Sequence, residues 1–146
     1  MQKFAEQAVI DAWQYNRIVL DYSPESIEII EQILTKRQKW IRDKNFTDKD
    51  IRAEALIAGA YIGETVKREK GGTWSESDEI AGEASYPLKF NDQNVYPYIW
   101  CYKRLTEGPE ENVWHKYSYF VKNQTPPGVK IEVKKQKIGT NAQPAR

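Results

Sequence analysis

Apolar positions recur at helical spacing through the first half of the chain and then give way to short, strand-like runs. Phe4, Ala8, Val9, Ala12 and Trp13 predict an amphipathic helix over 3–16. Ile18-Val19-Leu20 reads as a helix end or an extended linker. Ser23 then stands as an N-cap, with Pro24 at the first helical position and Glu25 in the first turn. The helix they open runs to about Ile41 and buries Ile27, Ile30, Ile33, Leu34 and Ile41. Lys36, Arg37, Lys39 and Arg42 crowd its last turns, where the helix dipole favours cations. Asn45-Phe46-Thr47 breaks the pattern. Thr47 caps a third helix with Asp48 and Asp50 in its first turn, and Ile51, Ala55, Ala58, Ile62 and Val66 on its apolar side. Gly71-Gly72 stops it.

Ala55, Gly59 and Gly63 recur every four residues along that third helix and therefore share one face. Glycine inside a helix costs about 1 kcal/mol relative to alanine. Two of them on one stripe predict that another backbone or a bulky ring packs directly on the helix.

Beyond Gly72 the pattern shortens. Thr73–Ser77 and Tyr86–Phe90 read as strands, with Pro87 suited to an edge or a first position. Pro97 opens a helical segment, Tyr98 to Thr106, closed by Gly108 and Pro109. Residues 110–122 predict a last helix with Val113, Trp114, Tyr117, Phe120 and Val121 inward. Residues 125–128 read as a turn and Val129–Val133 as a strand; disorder is expected from Gly139 onward. There is no internal repeat. The order predicts an α+β fold: N-terminal helices packed on a small antiparallel sheet, with aromatic-rich C-terminal helices. Residues 1–128 form a single domain on this reading, and 129–146 a basic strand or tail.

Composition narrows the function classes. The 146 residues suffice for one domain with a real core. Net charge is only +1, but residues 122–146 carry +5, which leaves a mildly acidic body and a short basic end, most simply a solvated one. Cys101 is the only cysteine, which rules out an intramolecular disulfide and a cysteine-based zinc site. The N-terminal stretch lacks the long apolar run of a signal peptide, and no segment has the roughly 20 apolar residues of a membrane span. A soluble cytoplasmic protein is expected.

Candidate chemistry is sparse. A Cys101–His115 nucleophilic pair would need two separate segments to meet, and Cys101 between Trp100 and Tyr102 reads better as a core filler. One histidine with scattered carboxylates has no metal-ligand spacing. Gly71-Gly72 follows a helix instead of preceding one, so it cannot cradle phosphate on a helix N-terminus. No cofactor is implied. Glu64 and Arg68 read as a surface i,i+4 pair; the alternative has Glu64 facing a pocket as an acid or base. Ten of the eighteen aromatic residues fall within 86–120, a density that suits either a core around the glycines or a binding surface. Tyr98, Tyr102 and Tyr119 are the residues expected at that surface. Aromatics beside Lys103 and Arg104 could stack on single-stranded nucleic acid, but the acidic body ranks that reading low.

With Gly63-Glu64, Gly71-Gly72-x-Trp74 and Pro97…Lys103-Arg104-Leu105…Gly108 in view, residues 50–108 resemble small bacterial proteins of unknown function of the DUF3806 type. The shared pattern is a glycine-containing helix, G-x-x-W entering a small sheet, and a proline-led segment ending K-R-x-x-x-G. The resemblance implies a partner or immunity protein of a bacterial toxin system and transfers no catalytic residue. Two readings follow. The first is a non-catalytic protein-binding module, an immunity protein neutralising a toxin. The second is a small enzyme or ligand-binding protein with a pocket around Glu64 and Trp74, and Arg104 nearby.

Overall fold

The computed structural model describes residues 1–123; the expected turn at 125–128, the strand at 129–133 and the basic tail lie outside the described residues. The architecture is α+β. Five helices, α1 (Gln2–Asn16), α2 (Ser26–Lys44), α3 (Asp48–Lys70), α4 (Pro97–Glu107) and α5 (Val113–Tyr117), accompany an antiparallel sheet of β1 (Thr73–Trp74), β2 (Leu88–Phe90) and β3 (Gln93–Val95).

Helix α3 is the axis of the fold, packed on α1 and on α4. Its start is fixed by a capping box: the Thr47 hydroxyl accepts from the Asp50 N–H at 3.2 Å, and the Asp50 carboxylate accepts from the Thr47 N–H at 3.1 Å. Gly71 ends it with φ +78°. Ala55, Ala58, Ile62 and Val66 are buried as the spacing predicts, while Ile51 is half-buried.

The glycine stripe is a close-packing surface with two occupants. A Cβ on Gly59 would lie 2.7 Å from the Tyr98 Cα and 2.8 Å from the Tyr98 nitrogen, so the first turn of α4 rests on bare helix backbone. A Cβ on Gly63 would lie 2.1 Å from the Trp74 ring, so β1 lays its indole across the next turn. The sequence thus places a backbone and a ring on successive turns of one helix.

Ser23 is not the N-cap of α2: Glu25 holds that position without a side-chain bond, and the Ser23 hydroxyl accepts from the Ser26 N–H at 3.3 Å in the turn before the helix. The first turn is tight: Ile27 and Glu28 bond back only three residues, and regular helix begins at Ser26. Tyr61 of α3 pins this start, its phenol oxygen accepting from the Tyr22 N–H at 2.7 Å and lying 2.7 Å from the Ser26 hydroxyl.

Two further expectations need correction, and one strand was not foreseen. The strand expected over Thr73–Ser77 is only Thr73–Trp74, because the chain turns into a loop stitched by Ser85 and Tyr86 N–H bonds to the Glu76 carbonyl. β3 pairs with β2 through a hairpin whose two turn residues, Asn91 and Asp92, have φ +50° and +59°. Residues 110–122 form no single helix. Pro109–Glu111 is a 3₁₀ turn, Asn112 caps α5 by accepting from the His115 N–H at 2.9 Å, and Ser118–Lys122 is a π turn. Val113, Tyr117 and Val121 line the interior, while the wider turn leaves Phe120 at the surface.

Candidate functional site

The structure brings together two of the three residues expected around a pocket. The Trp74 indole, seated over Gly63, donates Nε1–H to the Glu64 carboxylate at 2.8 Å, and Lys67 lies 3.7 Å from the same oxygen. Glu64 is buried under the ring that bonds it. The indole therefore fills the space in which a substrate would meet this carboxylate. The expected Glu64–Arg68 pair is replaced: Arg68 sits 3.6 Å from the Tyr22 ring centroid, where the ring face holds its charge.

Arg104 belongs elsewhere. Its Nε donates to Glu31 at 2.8 Å, one terminal nitrogen to Gln38 at 2.7 Å and the other to Thr35 at 2.7 Å, all on α2. The second Glu31 oxygen accepts from the Val113 N–H at 2.9 Å. One buried guanidinium and one buried carboxylate thus join α4, α2 and the start of α5, with each charge held by several hydrogen bonds.

The three tyrosines separate. Tyr98 is buried, contrary to expectation. Its backbone is pressed on Gly59, which turns its ring inward to meet Tyr86 edge-on at 5.7 Å between centroids. Tyr102 is half-buried; its phenol donates to Asp48 at 2.6 Å and Arg52 lies 5.3 Å from its ring centroid. Tyr119 is exposed. It stands edge-on to Phe120 at 4.9 Å, and Phe120 stacks on Trp100 at 5.9 Å. With Ile99, Lys103 and Tyr96 these rings line a groove of about 350 Å³ between α4 and the π turn.

An acidic loop adjoins this groove. Residues 75–85 carry Glu76, Asp78, Glu79 and Glu83 with no lysine or arginine, and Ile80 at their centre is 87% exposed. Asp78 anchors the loop by accepting from the Ala81 N–H and the Tyr96 hydroxyl, each at 2.6 Å, and from the Asn94 amide at 2.8 Å. The Tyr96 hydroxyl, foremost among these donors, holds the Asp78 carboxyl below its usual range. Tyr96 is therefore the hinge of the surface, with its ring in the groove wall and its hydroxyl on the acidic loop. Sequence reasoning missed Tyr96, Phe120 and Asp78. The acid run was legible as charge, but nothing in it revealed that Tyr96, between β3 and α4, would stand alongside.

Cys101 is fully buried, and burial pushes its thiol well above the ordinary cysteine range, which disfavours the thiolate a nucleophile needs. His115 is exposed on α5. Cys101→Ala is expected to cost about 1 kcal/mol, near the low end for deletion of a buried group, and His115→Ala close to nothing. Urea melts check both. Among the described residues no cluster of three or more His, Cys, Asp or Glu is placed to hold a metal ion, and no helix is long and apolar enough to cross a membrane. Comparison with protein-family models, with curated proteins and with solved structures found no match for the chain.

Proposed function

We propose that the protein is a non-catalytic protein-binding module that docks a basic partner, and that it acts as an immunity protein neutralising a bacterial toxin. The observation that carries the reading is the continuity of the surface around Tyr96. An aromatic groove with Trp100, Tyr119 and Phe120 meets a loop of four carboxylates, anchored through Asp78, around an exposed isoleucine. Aromatic anchors in a concave patch are the residue types that dominate binding energy, and a fixed field of one sign steers a partner of the other. The bonds that the Asp78 carboxylate accepts from Ala81, Asn94 and Tyr96 fix the loop backbone before association, which lowers the ordering entropy lost on binding. The burial of Glu64 beneath Trp74 and of Cys101 in the core supports binding over catalysis at those residues. The toxin assignment follows the resemblance carried by residues 50–108 and belongs to the cytoplasm on that reading.

The test is affinity capture from native host cells with the wild-type chain and with Tyr119→Ala/Phe120→Ala. The wild type is expected to retain a basic protein encoded beside it, and the variant to lose at least 2 kcal/mol of affinity, the scale of a binding hot spot. Association should slow as salt rises. Equal affinity of the two chains for the captured partner would refute this surface. Turnover of a small molecule that depends on Glu64 would replace the functional class.

A further inference from the structure

A second concavity lies among the first three helices. Helix α2 packs chiefly on α4 and α5 and touches α3 sparingly, so its C-terminal half stands off α1 and α3. The space left is a cleft of about 530 Å³, within the roughly 300–1,000 Å³ typical of small-ligand sites. It narrows into a well of about 40 Å³ lined by Ala8, Ala12, Ile30, Leu34 and Ala58.

The charges of the cleft are sorted by wall. α1 and α3 supply the carboxylates, Asp11 and Glu54; α2 supplies the cations, Lys36 and Arg37. The Arg37 guanidinium lies 5.9 Å from the Tyr15 ring centroid and 5.1 Å from that of Trp40, and both rings are exposed. Its one ionic contact among the described residues is a long one, Nε to Glu54 at 3.5 Å, and it makes no hydrogen bond there. A fork flanked by two rings, with its Nε on Glu54 and its terminal nitrogens uncommitted, is preorganised for a carboxylate. The opposite wall suits an ammonium. Burial raises the Glu54 carboxyl above its usual range; Arg37 counters this, while Asp11 and Asp50 add to it, so a further cation would be stabilised there. Asp11 keeps one oxygen on the Gln7 amide at 2.8 Å.

We propose that this cleft binds a free α-amino acid with a branched aliphatic side chain. The ligand's carboxylate lies on Arg37 and Lys36, its ammonium between Asp11 and Glu54, and the forked tip of its side chain in the alanine-lined well, with Tyr15 and Trp40 as the rim. Opposite walls of opposite sign match a zwitterion better than either ion alone, and the short apolar well admits one or two methyl groups, the tip of a branched side chain. The site uses elements other than the partner-binding face and does not depend on that reading.

The experiment is titration of the full chain, followed by calorimetry and tryptophan fluorescence, with L-leucine and with the two molecules that each lack one of its charges, 3-methylbutylamine and 4-methylpentanoate. Leucine is expected to bind, and each analogue to bind at least about tenfold more weakly, the effect of losing one set of charge-assisted hydrogen bonds. Arg37→Met and Glu54→Gln, checked for fold by circular dichroism, should each weaken leucine by a similar factor. Absence of leucine binding at millimolar concentration would overturn the proposal. So would an analogue that binds as tightly as leucine, or folded variants that bind leucine undiminished. The analogue comparison uses the wild-type chain and decides the matter even where a variant fails to fold.

Discussion

Gly59→Ala should destabilise the protein by about 2–3 kcal/mol, the upper part of the usual overpacking range, and Gly59→Leu by more. The atoms in the way are the Tyr98 Cα and nitrogen, at 2.7 and 2.8 Å from the position of a new Cβ. Backbone cannot rotate aside as a side chain can, so relief requires α4 to lift from α3, the most extensive helix contact in the molecule. Gly63→Ala meets a nominally closer atom, at 2.1 Å, yet should cost less. The obstacle there is the edge of the Trp74 ring, which is half-buried and can swing outward at the expense of its bond to Glu64. In Trp74→Ala the Gly63→Ala penalty should largely vanish, whereas the Gly59→Ala penalty should persist. Urea melts of the two glycine variants, of Trp74→Ala and of the two double variants separate these outcomes, and a Gly59→Ala protein as stable as wild type would refute the close-packing argument.

The second large effect is expected at the buried ion pair. Arg104→Met leaves the buried Glu31 carboxylate with only the Val113 N–H and a long bond from the Thr35 hydroxyl at 3.5 Å, and Glu31→Gln leaves the guanidinium without its counter-charge. Breaking one side of a buried pair typically costs about 3–5 kcal/mol, which approaches the whole stability of many small domains. Arg104→Met/Glu31→Met removes both charges and should be no less stable than the worse single variant, because no unpaired charge remains. The residual loss falls on the Val113 N–H, with Thr35 and Gln38 also deprived of a partner, at about 1–3 kcal/mol for an unsatisfied buried group. A double variant whose loss equals the sum of the two single losses would show that the charges do not act as a pair.

Local chemistry was legible where a residue type has one strong conformational use. Thr47 with Asp50, Gly71 after α3, and Pro97 at the start of α4 each mark an element boundary through side chain or backbone geometry alone. The glycine stripe went further and announced a tertiary contact, since only close approach compensates two helix glycines. β3 was hidden because Gln93-Asn94-Val95 has low strand propensity and is held by pairing with β2, and because Asn91-Asp92 lacks the glycine that usually signals such a turn. The candidate site was legible only in part. Aromatic density pointed to 86–120, but whether a ring faces inward is settled by what lies beneath it: Gly59 draws Tyr98 in, while the π turn leaves Phe120 out. The Arg104 network did leave a signal. Glu31 falls in the apolar stripe Ile27-Ile30-Leu34, and Arg104 follows Cys101 on the inner face of α4. A charge in an apolar stripe must find a buried partner of opposite sign. Reading the two stripes together would have paired them; weighing Arg104 for nucleic-acid stacking and for the Glu64 pocket concealed it.

The central claim is that the groove and the acidic loop form one docking surface. Amide hydrogen exchange of the protein with and without its captured partner tests it most directly. The account predicts added protection in two stretches at once, 78–83 and 96–120, with the amides of α1 unchanged. Protection confined to α1 and α2, with those two stretches exchanging as in the free protein, would contradict it.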